Sequence, residues 1–243
     1  MFRSRWLCLT ALAGVGLLAG CGEEKPPPPV EFGTARPAGD TLGLQPPQGA
    51  AMALSQWPDA CKLVTDGELR AFLPQAKNVE RKPVKVSIIN FDPMADAKPG
   101  TTGDVPRGGC EFAFNLPGNG GDHVTSSNFT VTVTALADPA LVSDKYREDK
   151  GDDASEQGFK DLAGSWGAQA CYSVDGVVGD KVTCMQGPYE FELDGSSYAE
   201  GLVRQPGPDA KPSENLAAAA ERKRLWTDKV LSQAARTVAA RMS

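Results

Sequence analysis

Apolar residues along this chain follow three regimes. Residues 6–18 form a continuous apolar run broken only by Thr10, residues 22–55 show no periodicity, and from Trp57 onward helix-like and strand-like spacings alternate. Within the third regime, Thr65-Asp66-Gly67-Glu68 has the layout of a capping box. The Thr65 hydroxyl can accept from the third helical N–H while Glu68 reaches back. This predicts a short helix over 68–73, stopped by Pro74, with Leu63, Leu69, Phe72 and Leu73 on its buried side. Three strands are expected next. Residues 83–90 put Val84, Val86 and Ile88 on one face, and 109–116 put Cys110, Phe112, Phe114 and Leu116 on one face. Residues 128–136 set Phe129, Val131, Val133 and Ala135 against Thr130, Thr132 and Thr134, the clearest half-buried strand of the chain. Gly- and Pro-rich loops over 92–108 and 117–127 separate them.

A helix is expected over 138–150, with Pro139 in its first turn, Leu141, Val142 and Tyr146 on one side, and Gly151-Asp152-Asp153 ending it. Residues 151–167 carry no decisive pattern. Strands at 168–174 and 181–186 then flank a turn at 175–180, and symmetric pairing about that turn sets Cys171 opposite Cys184. Directly opposed residues of a non-hydrogen-bonded pair approach to about 4.5 Å, which a disulfide can bridge. A further strand, 189–193, presents Tyr189, Phe191 and Leu193, and a long helix covers 213–242. At 100° per residue its buried stripe is Leu216, Ala220, Thr227, Val230, Leu231, Ala234 and Val238, with Glu221, Leu225, Lys229, Ser232 and Arg236 opposite. The fold class is therefore α+β: a curved antiparallel sheet of about six strands covered by helices, in the order α-βββ-α-βββ-α, with two disulfides.

The first regime has the layout of a secretion signal. Arg3 and Arg5 precede the apolar run, which at thirteen residues is too short for the roughly 20 that span a bilayer. It closes on Leu18-Ala19-Gly20-Cys21, which resembles the bacterial lipobox, where the cysteine sulfur takes a diacylglyceryl group and the signal is cut before it. Two acyl chains anchor stably where one holds only marginally. The expected organisation is a signal peptide at 1–20, a lipid anchor and Pro/Gly-rich tether at 21–56, and one extracytoplasmic domain at 57–243, on the outer face of the cell membrane. As extended polyproline such a tether could reach about 100 Å, as a coil about 30 Å.

Charge and cysteine usage narrow the partners. Losing residues 1–20 removes two arginines and no acid, which moves the formal charge from −6 to −8. With no basic cluster, nucleic acid is set aside as a partner. Of the six cysteines, Cys8 leaves with the signal and Cys21 carries lipid, so Cys61, Cys110, Cys171 and Cys184 remain for two disulfides in three possible connectivities. The hairpin favours Cys171–Cys184, leaving Cys61 with Cys110. A zinc site lacks any C-x-x-C pair, and the sole histidine, His123, sits in a glycine-rich loop, so neither a metal nor another cofactor is expected. The same isolation of His123 leaves no base for a Ser-His-Asp or Cys-His arrangement. No catalytic residue is assigned, and no ligand-binding residue either.

The stretch Asp59-Ala60-Cys61-Lys62-Leu63-Val64-Thr65-Asp66-Gly67-Glu68-Leu69 resembles the opening of a family of actinobacterial cell-surface lipoproteins of unknown function, whose folded part starts Pro-Cys-x-Leu-Leu-Thr-x-x-Glu. A second cysteine followed by an aromatic is matched by Cys110-Glu111-Phe112, with phenylalanine where tryptophan is more usual. The resemblance implies a Cys61–Cys110 bridge and offers no catalytic residues to carry over. Two function classes follow. The first is a non-enzymatic binding or sensing-accessory module of the envelope, held to the membrane through the lipid on Cys21 and taking an envelope protein or a small apolar ligand. The second is a cell-wall- or lipid-directed hydrolase using carboxylates.

Overall fold

The computed structural model describes residues 26–88, 102–119, 126–164, 166–176, 179–204, 206–207 and 209–243. The lipobox-like motif with Cys21, the loop residue His123 and the end of the strand expected at 83–90 lie outside the described residues. One antiparallel sheet of seven strands organises the rest. The strands are β1 (Lys77–Ile88), β2 (Gly103–Asn115), β3 (Ser127–Leu136), β4 (Lys160–Asp161), β5 (Ala170–Asp175), β6 (Asp180–Gln186) and β7 (Tyr189–Ser196), in spatial order β1-β2-β3-β7-β6-β5-β4. Four helices accompany it: α1 (Asp66–Phe72), α2 (Pro139–Asp153), α3 (Pro212–Trp226) and α4 (Ser232–Arg241).

Alternation decides which side of the sheet is apolar. Cys110, Phe112 and Phe114 of β2, Phe129, Val131 and Val133 of β3, and Phe191 and Leu193 of β7 all point to the face covered by α1 and α4, where the main core lies. Phe129 sits at its centre, stacked on Phe112 at 4.8 Å between centroids and touched by Phe114 and Phe72 at 6.1 and 6.4 Å. The capping box forms as its residues predict: the Thr65 hydroxyl accepts from the Glu68 N–H, and Glu68 accepts from the Thr65 N–H at 2.8 Å. Cys61 is bridged to Cys110, pinning a 3₁₀ turn at Ala60–Lys62 onto β2. Cys171 is bridged to Cys184, and the two are directly opposed in the β5–β6 ladder, the register that the turn symmetry predicts.

The strand count and order differ from the expected α-βββ-α-βββ-α. β4, two residues long, pairs with β5 at Lys160↔Ser173 and Asp161↔Tyr172, inside the stretch 151–167 that carried no pattern. Two residues are too few to show a period. β1 starts at Lys77, earlier than expected, because it is a sheet edge whose outward positions are charged and mask the alternation; Pro83 is tolerated there for the same reason. β2 begins at Gly103, within the expected loop 92–108, and α2 runs on through Gly151–Asp153. The single C-terminal helix is interrupted by a π-turn at Thr227–Leu231. That turn inserts one residue and rotates the helix before it out of phase with the helix after it. Val230, Leu231, Ala234 and Val238 are buried as expected, whereas Leu216 and Ala220, assigned to the same stripe, are exposed, and Ser232, assigned opposite, is buried.

The expected tether is the largest departure. Its described part, residues 26–56, has almost no regular structure, yet it lies across the domain as a strap. Val30 and Met52 are buried, and Phe32, Leu42 and Leu44 pack against the core. Backbone bonds fasten it along its length: Val30 N–H to Gly201 O at 2.7 Å, Gly33 N–H to Phe72 O at 3.0 Å, Leu42 N–H to Arg241 O at 2.7 Å and Met52 N–H to Leu136 O at 2.8 Å. Midway, the buried Glu68 carboxylate accepts from Ala38 N–H at 2.8 Å and pairs with Arg241 at 3.0 Å, while Arg241 also donates to Ala38 O at 2.6 Å. At its start the chain comes so close that only glycine fits beneath it: a Cβ at Gly201 would stand 2.5 Å from Pro28 O, and one at Gly118 2.9 Å from Pro27 Cγ.

Candidate functional site

The face of the sheet opposite the core is polar, because the same alternation that turns Phe129, Val131, Phe191 and Leu193 inward turns threonines and acids outward. Glu111, Thr130 and Asp194 stand in one row across β2, β3 and β7, and Thr132, Glu192, Thr183 and Tyr172 in the next across β3, β7, β6 and β5. Helix α2 covers the β5–β7 end of this face. Its Lys145 pairs with the buried Glu190 at 3.0 Å and with Asp149, and Thr134 Oγ1 donates to the same Glu190 oxygen at 2.8 Å. Tyr146 packs on Tyr172 at 5.5 Å, and Tyr172 donates to Asp153 at 2.9 Å. The second Glu190 oxygen and the Tyr146 hydroxyl are buried without a hydrogen-bond partner among the described residues. Burial pushes the Glu190 carboxyl up to about 7 against the pull of Lys145.

Beyond α2 the polar face stays open and sinks into a concavity of about 450 Å³, lined among others by Glu111, Asn128, Thr130, Lys181, Asp194 and Ser196. Asp194 is reached by solvent from above but flanked by protein. Its withdrawal from bulk water, together with the Glu111 charge, raises its carboxyl above the usual range, opposed by a hydrogen bond from Thr130. A second, smaller depression of about 120 Å³ lies between the end of β7 and α3, with Tyr198, Ala219, Arg222 and Trp226 in its wall. Gly179, Gly195 and Ser196 border both. Gly195 makes the junction possible: its φ is +146°, and a Cβ there would press into the Asn128 carbonyl oxygen and stand 2.6 Å from Phe129 Cα.

Helix α3 is fixed over the second depression by ions at Lys223 and by the burial of Trp226, which stacks on Phe114 at 6.1 Å. Lys223 reaches Asp175 at 2.6 Å and Asp180 at 2.9 Å, and Thr227 donates to Asp180 at 2.7 Å, which ties the helix to both ends of the β5–β6 turn. Burial alone would lower the Lys223 ammonium, but the two aspartates more than offset it and hold it above the usual lysine range. Arg222 lies over the Tyr198 ring at 5.7 Å. Trp226 is 2% exposed, and its buried indole Nε1–H has no partner among the described residues.

Against this geometry the chain matches no family model, no curated protein and no solved structure. The cleft therefore rests on its own chemistry. Its large part offers acceptors and donors (the carboxylates of Glu111, Asp180 and Asp194, an ammonium, an amide and hydroxyls) on a rigid sheet. Its small part offers an aromatic wall and a guanidinium. The described residues contain no group of three or more His, Cys, Asp or Glu side chains able to hold a metal ion.

The four domain cysteines named from the sequence are all in disulfides and none lines the cleft. Glu111, Asp194, Tyr198, Arg222 and Trp226 were not singled out by sequence reasoning. One signal for part of this set was present: the apolar positions Tyr189, Phe191 and Leu193 leave Glu190, Glu192 and Asp194 as three acids on the other face of one strand. Nothing comparable marks Tyr198 or Arg222, which meet only because α3 folds back over the end of β7.

Proposed function

We propose that this chain is a lipid-anchored lipoprotein of the outer face of the cell membrane. It acts as a non-enzymatic binding or sensing-accessory module of the envelope, with the double cleft as the surface that takes an envelope protein or a small apolar ligand. One observation carries the reading: a polar concavity and an aromatic notch share a rim on a frame stiffened by two disulfides. Preformed concave sites with a few convergent polar groups are where ligands bind. The lipobox-like motif at 18–21 supports the location, and the described residues hold no helix long and apolar enough to cross a membrane. A photo-crosslinking amino acid at Thr130, on the open face, should capture a defined adduct in cells. Asp194→Asn together with Tyr198→Ala should abolish that adduct at unchanged protein level. An adduct that persists in the double variant overturns the assignment of the cleft.

A second reading has its own observation, the raised Asp194 carboxyl beside Glu111. Two neighbouring carboxyls, one of them raised above its usual range, are the arrangement a carboxylate hydrolase uses. Hydrolysis of cell-wall glycan by the purified chain, lost in both Asp194→Asn and Glu111→Gln, would establish that reading over the first.

A further inference from the structure

Two large hydrophobic side chains stand exposed among the described residues, Tyr198 at 50% and Leu216 at 71%. They belong to one end of the molecule. Arg222 of α3 lies over the Tyr198 ring, and Leu216 precedes it by six residues, about 9 Å along the helix axis. Leu216, Ala219 and Lys223 follow at i, i+3 and i+7, so Leu216 extends the face of α3 that walls the aromatic notch. The π-turn leaves this first half of the helix out of phase with the core, and its residues from Pro212 to Ala217 are all exposed.

The start of the strap arrives at the same end. Pro27 and Pro28 lie against Gly118 and Gly201, Glu200 packs beside Gly118, and Val30 N–H donates to Gly201 O. Tyr198 is two residues before Glu200, so their Cα atoms are within about 7 Å. Cys21 is six residues before Pro27, a span of at most about 22 Å. A free tether over 21–56 would let the domain wander; the docked strap shortens the leash to those few residues and ties it beside Tyr198.

Resting on the reading of Cys21 as the lipid anchor, we propose that the tip formed by Tyr198 and the exposed face of α3 around Leu216 sits on the surface of the bilayer that holds the anchor. A tyrosine ring suits the headgroup level, being apolar in body and polar at its end, and a leucine suits the acyl boundary just below. Along 198–222, which carries the tip, Arg204, Lys211 and Arg222 are set against Glu200, Asp209, Glu214 and Glu221, so no excess of bases draws it to anionic lipid. It does not need to be strong. Confinement by so short a leash raises the local concentration of the tip at the surface to the millimolar range, where weak contacts are populated.

The test uses the full mature chain with its lipid, reconstituted into vesicles of equal parts phosphatidylcholine and phosphatidylglycerol. Nitroxide labels are placed through Leu216→Cys and, as a reference on the outer side of α2, Arg147→Cys, both at exposed positions that leave folding intact. At position 216 the label should be more accessible to oxygen than to a water-soluble nickel chelate, and at 147 the reverse. Protein that floats with the vesicles while the 216 label reads aqueous, or broadens by contact with a second copy, overturns the proposal and leaves the anchor standing. Protein that does not float at all overturns the anchor and this inference with it.

Discussion

Glu190 is the side chain most at odds with its surroundings. It is 1% exposed, one oxygen is held by Lys145 and Thr134, and the other has no hydrogen-bond partner among the described residues. Because burial lifts its pKa to about 7 from an ordinary 4.5, the folded protein holds a proton there that the unfolded chain has already released. Stability from this group therefore rises as pH falls from about 7 toward 4.5, and its cost is fully present above 7. Glu190→Gln should remove that slope: melting curves of the two proteins should diverge by about 5 °C at pH 8, with the variant higher, and converge near pH 5. An unchanged slope would show that Lys145 already satisfies the carboxylate. The acid was visible in the sequence only as one of three on an outward strand face. What distinguished it, the α2 helix closing over its position and not over Asp194, is a packing outcome that alternation does not encode.

Among the elements, the strap and the cross-strand bridge make the sharpest expectations. Arg241 joins the strap to α1 by holding Ala38 O and Glu68 together. Burial would raise the Glu68 carboxyl, but hydrogen bonds from Ala38, Thr65 and Arg241 more than offset it and hold it below the usual range. Arg241→Met leaves Glu68 buried without its cation, at a cost of about 3 kcal/mol. Hydrogen exchange of the Leu42 amide should then accelerate more than that of β3 amides; equal acceleration throughout would mean the strap is not a separate unit. Replacing Cys171 and Cys184 together by Ala should lower stability by about 3 kcal/mol in urea titration while leaving the β6–β7 register intact. The bridge itself was legible, since turn symmetry alone aligns the two cysteines. The strap was not. Composition rich in Pro and Gly reports only that a segment lacks a repeating backbone; it is silent on whether isolated residues such as Val30, Leu42 and Met52 find grooves on a domain. The long C-terminal helix failed differently, because a constant 100° step cannot foresee one inserted residue.

For the molecule as a whole, the decisive question is attachment. Cys21→Ser should release the chain or leave an uncleaved precursor, read by fractionation and mass; a mature-sized form still sedimenting with membranes would end the lipid-anchor reading. The class of fold was open to sequence reasoning because helices, hairpins and the polar outer face each leave a local period. The cleft was not, since its two halves come from β2, β3, β7 and α3, segments up to about a hundred residues apart whose meeting no local pattern records.

The strap also sets an order in time. The middle of the strap precedes the residues that fasten it by most of the domain: Ala35 is held by Gln233 across 198 positions and Ala38 by Arg241 across 203. The stretch around Ala35 to Leu42 can close only once α4 has been made, whereas Gly33 and Met52 find Phe72 and Leu136 without it. A molecule lacking α4 would leave residues 35–42 without the bonds from Gln233 and Arg241, and so more open to proteolysis than the rest of the strap. The strap in this sense works as a latch on α4, distinguishing copies that have docked that helix from copies that have not by what a protease can digest.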